Sequence, residues 1–132
     1  MLTVDKLAKT IASETIFITG AARTGTSMMG KLFHSLADVE YLYEPPTMIS
    51  LIASIDEIPE NNWRLLFETY QFEDFLINAL AGRNINLNAN DESSIIHAKT
   101  KEEIAHRMDK SHRRSDLYER SKSVRTVIKI PD

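Results

Sequence analysis

The run Gly20-Ala21-Ala22-Arg23-Thr24-Gly25-Thr26-Ser27 joins the apolar segment Ile16-Phe17-Ile18 to a stretch of helical periodicity, and it constrains the fold more than any other part of the chain. A short continuous apolar run that ends at a glycine is the pattern of a parallel strand covered on both faces. Beyond the loop, Met29, Leu32, Phe33 and Leu36 recur at i, i+3, i+4 and i+7, which predicts one buried face of a helix from about Thr26 to Ala37. Strand, glycine-bearing turn and helix in this order make an anion cradle. Backbone N–H groups at the helix start face the anion, and the helix dipole adds about 0.3–1 kcal/mol. The magnesium-nucleotide version of such a loop ends in Gly-Lys-Ser/Thr. Here Thr26 stands where that lysine would be, and the basic residue, Arg23, lies inside the loop. The cradle is kept, but the wiring for a triphosphate and magnesium is not.

The remaining patterns predict an α/β fold. Leu7, Ala8, Ile11 and Ala12 predict a short N-terminal helix, and Glu40 to Tyr43 predicts a second strand stopped by Glu44-Pro45-Pro46. Thr47 to Ile55 and Asn61 to Leu80 read as helices. In the second, Trp63, Leu66, Phe67 and Tyr70 share a core-type face, and Phe72, Phe75, Leu76 and Leu80 continue it after a shift in register. The Asn-rich segment Ala81 to Ser94 predicts a mobile surface loop. Thr100 with Glu103 predicts a capping box, followed by interleaved charges up to Arg120. Lys110, His112, Arg113 and Arg114, balanced by Asp109, Asp116 and Glu119, read as a solvated helix face. Val124 to Ile130 predicts a final strand. Strands alternating with helices imply crossover connections, a short parallel sheet and a P-loop-like three-layer domain over residues 1–132.

Composition narrows the function. A net charge of −3 and a pI near 5.8 disfavour nucleic acid or an acidic membrane as partner, so an anion must be bound locally. With no cysteine, disulfide frameworks, thiolate metal sites and cysteine nucleophiles are ruled out. His34, His97, His106 and His112 lack metal-ligand spacing and read as surface or helix-packing residues, so no metal is expected. The N-terminal residues show no signal-peptide pattern, and no run of about 18 apolar residues occurs, which predicts a cytoplasmic protein without a membrane anchor.

The run from Ile16 to Phe33, followed by Val39-Glu40-Tyr41-Leu42-Tyr43-Glu44-Pro45, resembles the sulfotransferase superfamily, closest in motif to carbohydrate and protein-tyrosine sulfotransferases. That family's loop for the donor 3′-phosphoadenosine 5′-phosphosulfate carries a basic residue, a small residue, then Gly-Thr/Ser-Thr/Ser. Arg23-Thr24-Gly25-Thr26-Ser27 fills it. The resemblance implies donor binding by Ala22, Arg23, Thr24, Gly25, Thr26 and Ser27, with Arg23 also stabilising charge in transfer. It implies that Glu44 is the general base for an acceptor hydroxyl. It further implies that Lys129, in Lys129-Ile130-Pro131, faces the bridging oxygen and the transferring group. The acceptor would be a carbohydrate or another small hydroxyl compound, in a pocket built from loops such as Ala81 to Ser94. Arg113, Arg114 and Ser115 precede the Lys-x-Pro strand and do not match the family's 3′-phosphate residues. The chain is therefore expected to correspond to the N-terminal part of such an enzyme, with a truncated sheet, and to bind the donor weakly on its own. A non-catalytic anion-binding remnant and an altered P-loop phosphotransferase are the alternatives.

Overall fold

The computed structural model of the chain describes residues 5–21, 25–109 and 111–131, with the backbone alone at Ser27. Helices α1 (Lys6–Ser13), α2 (Thr26–His34), α3 (Pro46–Ala53), α4 (Glu60–Thr69), α5 (Asn78–Leu80), α6 (Lys101–Met108) and α7 (Arg114–Ser121) accompany strands β1 (Ile16–Ile18), β2 (Val39–Tyr43) and β3 (Arg125–Lys129). A π-helical segment, Tyr70–Ile77, links α4 to α5, and a 3-10 turn covers Ile95–His97. The architecture is mixed α/β, with a small parallel sheet flanked by helices, as the alternating patterns predict.

The sheet order is β1-β3-β2, and both pairs are parallel. The last strand in sequence is the middle one in space. Val127 pairs with Ile16 on one side and Tyr41 on the other, and Lys129 pairs with Ile18 and Tyr43. Burial follows position, because Thr126, Val127 and Ile128 have neighbours on both edges and both faces and are fully buried. β1 lies at an edge, and the expectation that both its faces are covered fails at Phe17, which is exposed. The Phe17 ring stacks on Phe67, which in turn stacks on Trp63, with ring centroids 6.2 and 5.3 Å apart. α4 thus reaches this face at its rim.

Three further expectations are corrected. The stripe Trp63, Leu66, Phe67 and Tyr70 is not core, since α4 buries no residue and Leu66 is exposed. The core lies one segment later, where Phe72, Leu76, Ile77 and Leu80 pack on Ala8 and Ile11 of α1 and Leu117 of α7. The i→i+5 winding of Tyr70–Ile77 supplies the register shift between the two apolar stripes. It also buries Gln71, whose amide nitrogen donates to Thr15 Oγ1 at 2.9 Å and to Thr126 Oγ1, bridging β3 and the residue before β1.

α2 ends at His34 rather than near Ala37, and it turns a different face to the sheet than its periodicity predicts. Gly30 is buried and Phe33 and His34 are half-buried, while Met29, Leu32 and Leu36 are exposed. The cause is Tyr41 of β2, whose ring lies so close to Gly30 that a Cβ there would collide with the ring and hydroxyl atoms. The helix seats on the strand at the residue that leaves room for the tyrosine.

The interleaved charges after Thr100 are not all solvated. Arg107, 1% exposed, donates from Nη1 to Glu40 Oε2 at 3.1 Å, makes a second contact to Glu40 Oε1, and donates from Nε to Glu103 Oε1 at 2.7 Å. Arg120 reaches the same Glu103 oxygen. Thr100 caps α6 as predicted, accepting from the Glu103 N–H at 3.1 Å, but the Glu103 carboxylate turns to the two arginines. Arg114 fits the solvated reading, paired at the surface with Glu73 at 2.9 Å, and Lys110 lies outside the described residues.

Candidate functional site

Parallel strands gather their carboxyl ends at one edge of a sheet, and ligands of open α/β sheets bind there. At this edge β1 leads into the Gly20 loop, β2 leads into Glu44, and β3 presents Lys129. Lys129 Nζ forms an ion pair with Glu44 Oε1 across 85 residues of sequence. The Glu44 N–H also donates to the Lys129 carbonyl at 2.9 Å, extending the β2–β3 ladder by one residue. Lys129 is only 6% exposed, with its ammonium 4.9 Å from the centroid of the Tyr43 ring, so it does not simply end a strand in solvent. Glu44 has φ 41°, the one positive φ at a non-glycine residue among the described residues. The left-handed region costs such a residue roughly 1–2 kcal/mol. The ladder bond, the Lys129 pair and the buried Pro45 that follows hold it there.

Gly25 caps α2 with φ 88° and ψ 11°, and its carbonyl accepts the helix's first bond from the Met29 N–H at 3.0 Å. A side chain at this φ would be strained, and Gly25 brings no capping side chain of its own. First-turn N–H groups have no partner within a helix, so this start is suited to an anion. Thr26 is half-buried in that first turn. The predicted donor-binding residues Ala22, Arg23 and Thr24, and the side chain of Ser27, lie outside the described residues. The structure therefore brings Glu44 and Lys129 together, and places Gly25 and Thr26 at a helix start whose loop leaves the same end of the sheet.

Tyr43, whose ring lies against Lys129, also lines a cleft of about 620 Å³, together with Lys31, Tyr41 and residues 88 and 90–93 of the Asn-rich loop. Lys31 of α2 clasps the walls together through Glu92 at 2.8 Å. The loop is at the surface, as predicted, but its side chains bind its own backbone. Asn86 Oδ1 accepts from the Asn88 N–H at 2.9 Å, Asn88 Oδ1 from the Asn90 N–H at 3.1 Å, and Asp91 Oδ1 from the Ser93 N–H at 2.8 Å. These local turns give the loop internal support along its wall of the cleft.

Around the half-buried His34 and Tyr41, partial burial shifts the titration of the groups. Burial pushes the His34 imidazole down to about 4, against the attraction of Glu40 and assisted by Lys99 and Arg107. Burial likewise raises the Tyr41 phenol to about 12, and its hydroxyl has no hydrogen-bond partner. Lys99, its own pKa lowered by burial, donates to the carbonyls of Leu36 and Val39 at 2.7 and 2.6 Å and so fixes the turn from α2 into β2.

A pH dependence follows from His34. Its folded pKa lies below its ordinary 6.5, so its contribution is present above pH 6.5 and is lost as pH falls from there toward about 4. A loss on the order of 3 kcal/mol is expected across this window. Urea titrations at several pH values should show it, and His34→Gln should flatten that part of the profile.

The histidines otherwise sit as predicted. His34 packs on Tyr41, His106 on His112, and His97 bonds the Ala89 carbonyl at 2.8 Å. Among the described residues no group of three His, Cys, Asp or Glu side chains could hold a metal, and no helix is long and apolar enough to cross a membrane. Sequence reasoning missed Tyr43 beneath the Lys129 ammonium, the Lys31–Glu92 clasp, and the Arg107–Glu40 pair under β2. For Tyr43, the signal was its place directly before Glu44. For the two ion pairs no local signal exists, because their partners are 61 and 67 residues apart. Compared with known proteins, the chain matches no family model, no curated protein and no solved structure.

Proposed function

We propose that the carboxyl edge of this sheet is a sulfuryl-transfer site in a P-loop-like domain, acting from 3′-phosphoadenosine 5′-phosphosulfate to a hydroxyl of a carbohydrate or another small acceptor. The observation that carries the reading is the Lys129–Glu44 pair: a nearly buried cation and a carboxylate from distant segments meet at the strand ends. Glu44 takes the acceptor's hydroxyl proton. The acceptor oxygen bonds to sulfur while the bond from sulfur to the bridging phosphate oxygen breaks, and the electron pair stays on the phosphate. Lys129 and Arg23 neutralise the charge that builds there, and the N-terminus of α2 holds the 5′-phosphate. Before any ligand arrives, Lys129 and Glu44 neutralise one another. The donor's anionic oxygens compete for Lys129 and so free the Glu44 carboxylate to act as base.

Gly25 and Thr26 at the start of α2, with Lys129 at the strand end, support the reading at the 5′ end of the donor. Arg113, Arg114 and Ser115 do not match the family's 3′-phosphate residues, so the reading covers that one end. Radiolabelled sulfate transfer from the donor to a library of hydroxyl compounds tests it. Transfer is expected from the full chain and is expected to vanish in Arg23→Ala and Lys129→Ala. Anion binding without any transfer would leave a non-catalytic remnant. Magnesium-dependent ATP hydrolysis lost on changing Thr26 would identify a phosphotransferase instead.

A further inference from the structure

We propose that the cleft between Tyr43 and the Asn-rich loop is the acceptor site, and that it selects a neutral polyhydroxylated ring over an anionic one. Its role as an acceptor site rests on the sulfuryl-transfer reading, while the binding itself does not. Position is the first argument. Tyr43 lines the cleft and lies against the Lys129 ammonium, and the same ammonium pairs with Glu44, so the Tyr43 wall of the cleft is separated from the base by that one ammonium group.

The lining chemistry is the second. Tyr43 is 49% exposed, an aromatic surface at the mouth of the cleft, suited to the apolar face of a sugar ring. On the loop, Asn88 keeps its amide N–H groups, its oxygen being bonded to the Asn90 N–H, and Asn90 carries an amide that both donates and accepts, the capacity that neighbouring hydroxyls on a ring require. A cleft of about 620 Å³ falls within the range of small-ligand sites, roughly 300–1,000 Å³.

Charge decides between neutral and anionic rings. The one cation of the lining, Lys31, is neutralised by Glu92, and Asp91 adds a second carboxylate that bonds from Ser93 and Asn86 keep ionised. The lining is therefore net negative. A ring carrying a carboxylate meets like charge, expected to lower its affinity roughly tenfold, about 1.4 kcal/mol.

Saturation-transfer NMR titrations of the full chain with glucose, with glucuronate and with phenol, in the absence of donor, test the proposal. Glucose is expected to receive saturation and to bind about tenfold more tightly than glucuronate. Tyr43→Ala should abolish the transfer to glucose. Asp91→Asn, which keeps an oxygen for the Ser93 N–H, should bring glucuronate to within about twofold of glucose, with Glu92→Gln as a second charge-neutralised variant. Equal or tighter binding of glucuronate to the unaltered chain would overturn the proposal. So would phenol binding without glucose, or glucose binding that ignores Tyr43→Ala. The two readings fail separately. Sulfuryl transfer to hydroxyl compounds with no sugar bound sinks the cleft, whereas sugar binding with no transfer sinks the chemistry and leaves the cleft.

Discussion

Arg107→Met is expected to destabilise the fold by about 3–5 kcal/mol, because it leaves the Glu40 carboxylate buried without its guanidinium. The geometry makes the loss steep. Glu40 is 3% exposed in the second position of β2, and two Arg107 nitrogens address its two oxygens. Glu103 and Arg120 form a second pair beside them, which Arg107 links to Glu40 through its Nε. Methionine matches the length of the stem but donates nothing. Urea unfolding monitored by the single tryptophan, Trp63, measures the change. Pairing the substitution with Glu40→Leu should recover most of the lost stability, since an apolar pair of similar volume avoids the desolvation of both charges. If Arg107→Met alone costs under about 1 kcal/mol, the buried pair does not hold β2 in place.

Glu44→Gln is expected to lower the sulfuryl-transfer rate by about 10²–10⁴ while leaving donor binding within a few-fold of the unaltered chain. The amide is nearly isosteric and keeps an oxygen for Lys129, and the backbone N–H at this position still donates to the Lys129 carbonyl. What it loses is the ability to accept a proton. Stability should fall by about 1–2 kcal/mol as a charge-assisted bond becomes an ordinary one, so rates are compared well below the unfolding transition. The limb of the pH–rate profile that reports the base should disappear with the rate. A transfer rate within a few-fold of the unaltered chain would remove Glu44 from the chemistry and leave it as a strand-end partner of Lys129.

The order of strands and helices was legible because each lies in a local pattern. Ile16-Phe17-Ile18 stops at Gly20, Val39 to Tyr43 stops at the prolines, and Arg125 to Lys129 alternates before Pro131. Glu44 and Lys129 were legible as separate candidates, and the sheet register puts them in contact. Periodicity failed where the partner of a face mattered more than the face itself. α2 carries an apolar stripe through Met29, Leu32 and Leu36, yet the sheet accepts Gly30, because Tyr41 needs the space that a missing side chain provides. The same limit hid Arg107. One arginine among Lys101-Glu102-Glu103-Ile104-Ala105-His106-Arg107 looks solvated until a carboxylate from β2 is brought beneath it. The register shift after Tyr70 was readable from two offset apolar stripes, and the π winding is its physical form.

The middle position of β3 ties the sheet to a timetable. Every ladder pair in the sheet includes a residue of β3, so β1 and β2 share no backbone bond with each other. Ile16 must therefore wait for Val127, a contact of very long sequence separation and hence of high loop-closure entropy. During synthesis β1 and β2 stay without their ladder partner until residues 125–129 leave the ribosome. Lys129 and Glu44 come into register in the same step, so the ion pair and the closure of the sheet are one event.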